Sequence, residues 1–371
     1  MKIPFYDSTR EYKNYKEEFD KAITDVLMSG AFILGNDVNI FEDRIKNYTG
    51  AKYAIGVANG SDALLICSEI LEYRNAEILT PVFTFFASAS CIARLGGKPV
   101  FVDVDEDTFC MDMHDAENRI TKNTKGIIPV HLFLQTADMT ECMKLAKKNN
   151  LSVLEDAAEA FGMQTQYNGS LYNAGTIGDF GVYSFFPTKT LGGYGDGGMI
   201  LTNNEDYYKI AKSFRSHGAS KKYHHDYIGY NSRLDTLQAA ILNIKLSHIE
   251  NAIKQRAFIT SKYREFLKDI SGIKLPIIKN ENKEINYVFC IQADKRDDLE
   301  NFLKSKEIGT SVYYPVPLHL QKCFQYLNYK EGDFPVAERL SGNVLALPVF
   351  PELTEDEVYY ICEKIKEFYR N

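Results

Sequence analysis

Lys52-Tyr-Ala-Ile-Gly-Val-Ala-Asn-Gly-Ser-Asp-Ala-Leu-Leu-Ile-Cys-Ser-Glu-Ile-Leu-Glu-Tyr73 changes character halfway along. Residues 52–58 form a short apolar run of strand length, and residues 61–73 read as a helix, with a polar Asn59-Gly60-Ser61 turn between them. The unit recurs. Ile78–Thr80 ends a strand before a helix-like Thr84–Leu95, and Pro99–Val104 is a strand again. Gly126–Val130, the helix Met139–Lys148 and the strand Leu151–Leu154 follow, the last running into Glu155-Asp156. Alternation of this kind predicts an α/β fold with a largely parallel sheet between helices. Ligands in such sheets bind beyond the carboxyl ends of the strands. Asn59-Gly60-Ser61, Thr84-Phe85 and Asp156 all fall there.

At 371 residues the chain fits one large domain plus a smaller one. A net charge of −7 and the lack of any long basic cluster argue against nucleic acid and anionic membrane as partners. No apolar targeting segment and no long uncharged apolar run occur, so a cytoplasmic location is expected. Cys67, Cys91, Cys110, Cys142, Cys290, Cys323 and Cys362 are scattered without CxxC spacing, as suits reduced thiols and no metal or disulfide frame. His224-His225 has no companion ligands at zinc spacing. A single periodic helix is predicted from Leu234 to about Phe266, carrying the chain into the second domain. That domain contains extended runs at Asn286–Ile291 and Thr310–Tyr314. It closes with a helix opened by the capping box Thr354-Glu-Asp-Glu357, with Val358, Ile361, Ile365 and Phe368 on one face.

The chemistry centres on Ser184-Phe-Phe-Pro-Thr-Lys189-Thr-Leu-Gly-Gly-Tyr-Gly-Asp-Gly-Gly198. A lysine between an aromatic run and a glycine-rich stretch can leave the surface, and burial alone would lower its pKa toward a usable amine. Such lysines form Schiff bases with carbonyl compounds; the competing reading is a solvated loop lysine. Gly60-Ser61 at a helix start can hold a phosphate, or Ser61 and Asp62 can be a plain N-cap. Asp156 can face a cation such as a protonated pyridine nitrogen, or cap a following helix. Phe85 can stack on a flat ring or fill the core. Asn231 and His319 each have a structural and a ligand-facing reading. Gly193-Tyr-Gly-Asp-Gly-Gly198 matches a dinucleotide fingerprint in letters only, because it precedes the strand-like Met199–Thr202 and opens no helix.

Taken together, these segments resemble the DegT/DnrJ/EryC1/StrS sugar aminotransferases, which share fold type I of the pyridoxal-phosphate enzymes. The resemblance runs through Ser29–Gly35, Asn59–Leu64, Thr80–Phe85, Phe101–Asp105, Pro129–Leu132, Glu155–Ala158, the Lys189 segment, Gly229–Asp235 and Tyr314–Gln321. It implies a large pyridoxal-phosphate domain, residues 1–245, and a small C-terminal α/β domain, residues 246–371. It implies that Lys189 takes the cofactor aldehyde, Asp156 meets the pyridinium nitrogen and Phe85 stacks on the ring. Gly60, Ser61 and Ser184 match the phosphate grip, and Asn231 matches a residue reaching that phosphate from the other subunit of a homodimer. Arg233, Tyr313, Tyr314 and His319 match the region that meets a nucleotide-linked sugar. Two positions depart from the family pattern: Glu159 stands beside the cofactor's phenolic oxygen where glutamine is common, and Leu134 replaces a common glycine. The implied reaction moves an amino group from L-glutamate to a nucleotide-linked keto-sugar, in the making of deoxyamino sugars for surface glycans. Lys222–His225 and Tyr313-Tyr314 resemble most the enzymes acting on a dTDP-3-keto-6-deoxyhexose. UDP-linked 3-keto sugars and nucleotide-linked 4-keto sugars are the alternatives, and a non-catalytic sensor on the same fold is the rival of a different class.

Overall fold

The computed structural model describes residues 1–277 and 285–370. Seven strands build the main sheet: β1 (Tyr53–Val57), β2 (Glu77–Pro81), β3 (Lys98–Val102), β4 (Thr124–Ile127), β5 (Ser152–Asp156), β6 (Phe180–Ser184) and β7 (Gly198–Thr202). Their spatial order is β1-β7-β6-β5-β4-β2-β3. β7 runs antiparallel to β1 and β6, and every other neighbouring pair is parallel. This is the mostly parallel sheet expected of fold type I.

Alternation within each strand distributes the core. Ile55, Val182, Ile200 and Leu154 point into one apolar cluster with Leu64, Ile66 and Ile92 from the helices Gly60–Ile70 and Ala87–Arg94. Their strand neighbours Ala54, Tyr183, Met199 and Leu201 point to the other face, against Phe41, Ile45 and Leu242. Side chains alternate across a strand, so a sheet covered on both faces is written as a nearly continuous apolar run. That is why residues 52–58 and 151–154 lack polar alternation. A second, antiparallel sheet of three strands, Ile273–Lys274, Phe289–Ala293 and Val344–Leu347, lies in the C-terminal part.

Three expectations change. The helix predicted over Leu234 to Phe266 is two helices, Thr236–Ser247 and Ile249–Leu267, separated at His248. No glycine or proline marks the break; His248 stacks on Tyr15 at 4.0 Å and meets Glu18 at 3.1 Å, contacts from a segment more than 200 residues away. The run Thr310–Tyr314 forms no strand beyond a single bridge from Ser311 to Ala346. Pro315 and Pro317 follow directly, and proline cannot donate to a ladder. The strand expected at Asn286–Ile291 begins later, at Phe289. At the closing helix the capping box forms as read, with Glu357 N–H donating to Thr354 Oγ1 at 3.3 Å and Thr354 N–H to Glu357 Oε2 at 2.9 Å. Among the described residues no helix is long and apolar enough to cross a membrane.

Candidate active site

The carboxyl ends of β5 and β6 and the amino terminus of the helix Gly60–Ile70 meet at one place. Gly60 opens that helix, and Asn59 is its cap: the Asn59 side chain accepts from Asp62 N–H at 2.7 Å and its carbonyl from Ala63 N–H at 3.1 Å. The N-cap reading of Ser61 and Asp62 is thereby replaced. The first N–H groups of a helix have no intrahelical partner, so Gly60 and Ser61 are the ones open to an anion. Glycine is required at the contact. A Cβ on Gly60 would lie 2.9 Å from Ser184 Cβ, and one on Gly198 would lie 2.4 Å from the Asn59 carbonyl carbon. The close approach sets Ser184 against Gly60 at the helix start, a small polar cradle with Ser61 next in the chain.

Asp156 ends β5 and is 4% exposed. Ser88 Oγ donates to its Oδ2 at 2.7 Å, and Ala158 N–H to its Oδ1 at 3.2 Å. A turn follows, not a helix, so Asp156 caps nothing. Burial pushes its carboxyl above the ordinary range; the Ser88 bond, the Ala158 bond and the nearby Lys189 charge oppose that rise without cancelling it. Among the described residues, no cationic side chain forms an ion pair with this carboxylate. Phe85, expected either in the core or on a ring, is 58% exposed, so the core reading fails.

Lys189 hangs from a turn in which its N–H donates to the Phe186 carbonyl at 2.9 Å. Its side chain is 14% exposed, with Nζ 3.2 Å from Glu159 Oε1 and 4.5 Å from the centre of the Tyr287 ring. The solvated-loop reading is excluded. The expected direction of its pKa is also corrected: burial pulls the ammonium down, but Glu159 and Tyr287 outweigh it, and the net displacement is upward. Glu159 is itself held by Phe133 N–H at 3.3 Å. Phe133 packs near Tyr313 and Tyr314, at 6.1 and 6.3 Å between ring centres. Tyr313 feels the charges of both Glu159 and Lys189, and Tyr314 that of Glu159.

The remaining expected residues lie apart. Asn231 is exposed and accepts a hydrogen bond from Arg233, while Ser232 between them accepts from Ala58 N–H at 3.2 Å, next to the cradle. His319 is 1% exposed, 3.0 Å from Glu338 and against the Phe334 ring. Its Nδ1 is buried without a partner among the described residues, and burial lowers its pKa despite Glu338. Ser88 and Tyr287 escaped the sequence reading. Ser88 sits inside an ordinary helix pattern, and Tyr287 is 98 positions from Lys189, so only folding relates either to the site.

The donor set suits pyridoxal phosphate: a buried amine, a buried carboxylate short of a cation, an exposed aromatic face and an open helix start beside a serine. A family model described as the DegT/DnrJ/EryC1/StrS aminotransferase family matches residues 13–366. A pleiotropic regulatory protein of Geobacillus stearothermophilus is 44% identical over the full length of both chains. A UDP-N-acetyl-3-dehydro-alpha-D-glucosamine 3-aminotransferase of Acidithiobacillus ferrooxidans is 38% identical, covering 98% of this chain and 97% of that one. A dTDP-3-amino-3,6-dideoxy-alpha-D-galactopyranose transaminase of Aneurinibacillus thermoaerophilus is 37% identical over 99% of each. Among solved structures, NtdA of Bacillus subtilis with bound cofactor PMP superposes with a TM-score of 0.91 at 28% identity, covering 100% of this chain and 86% of that one. With a match over nearly its whole length and relatives well above 30% identity, the chain belongs to the DegT/DnrJ/EryC1/StrS aminotransferase family.

Proposed function

We propose that the protein is a pyridoxal-phosphate aminotransferase that moves an amino group from L-glutamate to the 3-keto group of a nucleotide-linked sugar. One observation carries the reading: a buried lysine amine and a buried, cation-deficient carboxylate share the carboxyl-end site with an open helix start. When bound, the cofactor supplies an aldehyde and an electron-withdrawing ring that stabilises charge at a substrate carbon. Asp156 would meet the ring nitrogen and favour its protonated form, and that positive charge would bring the carboxyl back toward its ordinary range. Ser88 fixes the Asp156 carboxylate, and the exposed face of Phe85 covers the ring. Gly60 N–H, Ser61 and Ser184 hold the phosphate. Lys189 would hold a proton at Nζ and move it to or from the substrate carbon. Glu159 orients the Lys189 amine.

Asn231 completes the phosphate grip of a second copy. Exposed Met28, Phe32 and Ile33 offer that copy an apolar face, since Ile33 pairs with Asp235 close to Asn231 in sequence. The division at residues 245/246 belongs to the same proposal, with Tyr313, Tyr314, His319 and Arg233 assigned to the nucleotide-sugar side. The 3-keto position is supported by the names of the 38% and 37% identical relatives, one UDP-linked and one dTDP-linked. We favour a dTDP-3-keto-6-deoxyhexose on the Lys222–His225 and Tyr313-Tyr314 patterns. The name of the 44% identical relative favours, as a second reading, a regulatory role.

Borohydride trapping of added pyridoxal phosphate, with peptide mapping, is expected to label Lys189. A panel of dTDP- and UDP-linked 3-keto and 4-keto sugars with glutamate is expected to give amination at C3. No trapped adduct rejects the enzyme reading, and amination at C4 alone rejects the substrate.

A further inference from the structure

Tyr287 belongs to the C-terminal segment, precedes the strand Phe289–Ala293 and is 7% exposed. Its ring face lies under the Lys189 ammonium, 4.5 Å from Nζ. Its hydroxyl is 3.2 Å from Thr188 Oγ1, on the residue before that lysine. Its carbonyl accepts from Arg256 Nη1 at 3.2 Å, and Arg256, 2% exposed, also donates to the Val349 carbonyl at 2.7 Å. A fully buried arginine thus pins the tyrosine, and the tyrosine touches Lys189 and its neighbour by two different groups.

We propose that Tyr287 is a positioning residue for Lys189, its ring holding the amine in its charged form and its hydroxyl fixing the turn from which the lysine reaches out. The inference rests on the reading of Lys189 as the reactive amine. A cation over an aromatic face is stabilised, the more so when shielded from water. The charged and titratable groups around Lys189 are Glu159 from the turn after β5, Asp156 at its end, and Tyr287 and Tyr313 from the C-terminal segment. The Glu159 carboxylate and the Tyr287 hydroxyl both favour the ammonium, from opposite parts of the chain, and the Tyr287 ring face lies against it as well. Since only the neutral amine attacks a carbonyl, the C-terminal segment then sets how readily Lys189 captures one.

The test uses the full chain stripped of cofactor. Reductive methylation with formaldehyde and cyanoborohydride, read by peptide mass spectrometry across a pH series, gives the midpoint at which Lys189 becomes reactive. Y287L should lower that midpoint by about one pH unit, and Y287F, which keeps the ring but loses the hydroxyl, should lower it by less. Y287F should also slow capture of pyridoxal phosphate severalfold, because the Thr188 tie is gone. An unchanged midpoint in folded Y287L overturns the proposal. Should Y287L not fold, wild-type capture kinetics in Y287F overturn it alone. Trapping of pyridoxal phosphate on wild-type Lys189 is scored separately, so failure of the enzyme reading is distinct from failure of this one.

Discussion

Glu155 and Asp156 are consecutive, both acidic and both buried, yet the fold treats them oppositely. Glu155 Oε1 accepts from Ile177 and Gly178 N–H at 2.7 and 2.6 Å, and its Oε2 accepts from Gly175 N–H at 2.8 Å. His131 adds a fourth donor: its Nδ1 accepts from Ala137 N–H, so the Nε2 proton points at Glu155, 3.0 Å away. Asp156, facing the other side of the strand, has Ser88 and one backbone N–H. A carboxylate with its lone pairs filled by protein is a structural tie between β5 and the loop that leads into β6. One left short of positive charge is what the proposed function uses as its binding group.

The largest break in this contrast is D156N. Amine transfer should fall by about 10³-fold, measured at saturating cofactor, while the cofactor-free protein keeps its fold. The pH sign follows from the raised Asp156 pKa. The folded state holds that proton to higher pH than the unfolded chain, so the wild type loses stability as pH climbs from the ordinary aspartate value, 3.8, through the folded one. The melting temperature of D156N relative to wild type should therefore rise with pH across that window. A flat difference would show that burial does not raise the Asp156 pKa.

E155A should do the reverse. Stranding three backbone N–H groups and the His131 proton costs about 3 kcal/mol or more, seen as a lower urea midpoint. The folded fraction should keep the wild-type cofactor spectrum. A stable but spectrally altered E155A would show that the two acids do not divide their work this way. The mildest change is S88A. Loss of one bond to a carboxylate is worth about 1–2 kcal/mol, so cofactor affinity in an equilibrium titration should weaken roughly tenfold. No weakening would mean that Asp156 is fixed by Ala158 alone.

Much of this was readable along the chain, for reasons tied to local pattern. β1 and β5 are apolar runs because both faces are covered, and the polar turn at Gly60 marks where a helix starts. Lys189 and Asp156 stood out as polar residues beside such runs. The split at His248 was not readable, because the residues on either side keep helical spacing and the contacts that hold the break come from Tyr15 and Glu18. Ser88 was hidden for the same kind of reason: a serine within a helix carries no mark of the carboxylate it will meet.

By itself the sequence determined most strands of the sheet, the family and the two polar positions, Lys189 and Asp156, on which the proposed function rests, all of which depend on periodicity and short motifs. Tertiary structure alone decided the electrostatic state of that pair. Burial was expected to make Lys189 less basic, and it pulls in that direction. Glu159, 30 positions back, and Tyr287, 98 positions on, reverse the sign. Charge interactions depend on distance in space, which no spacing along the chain encodes.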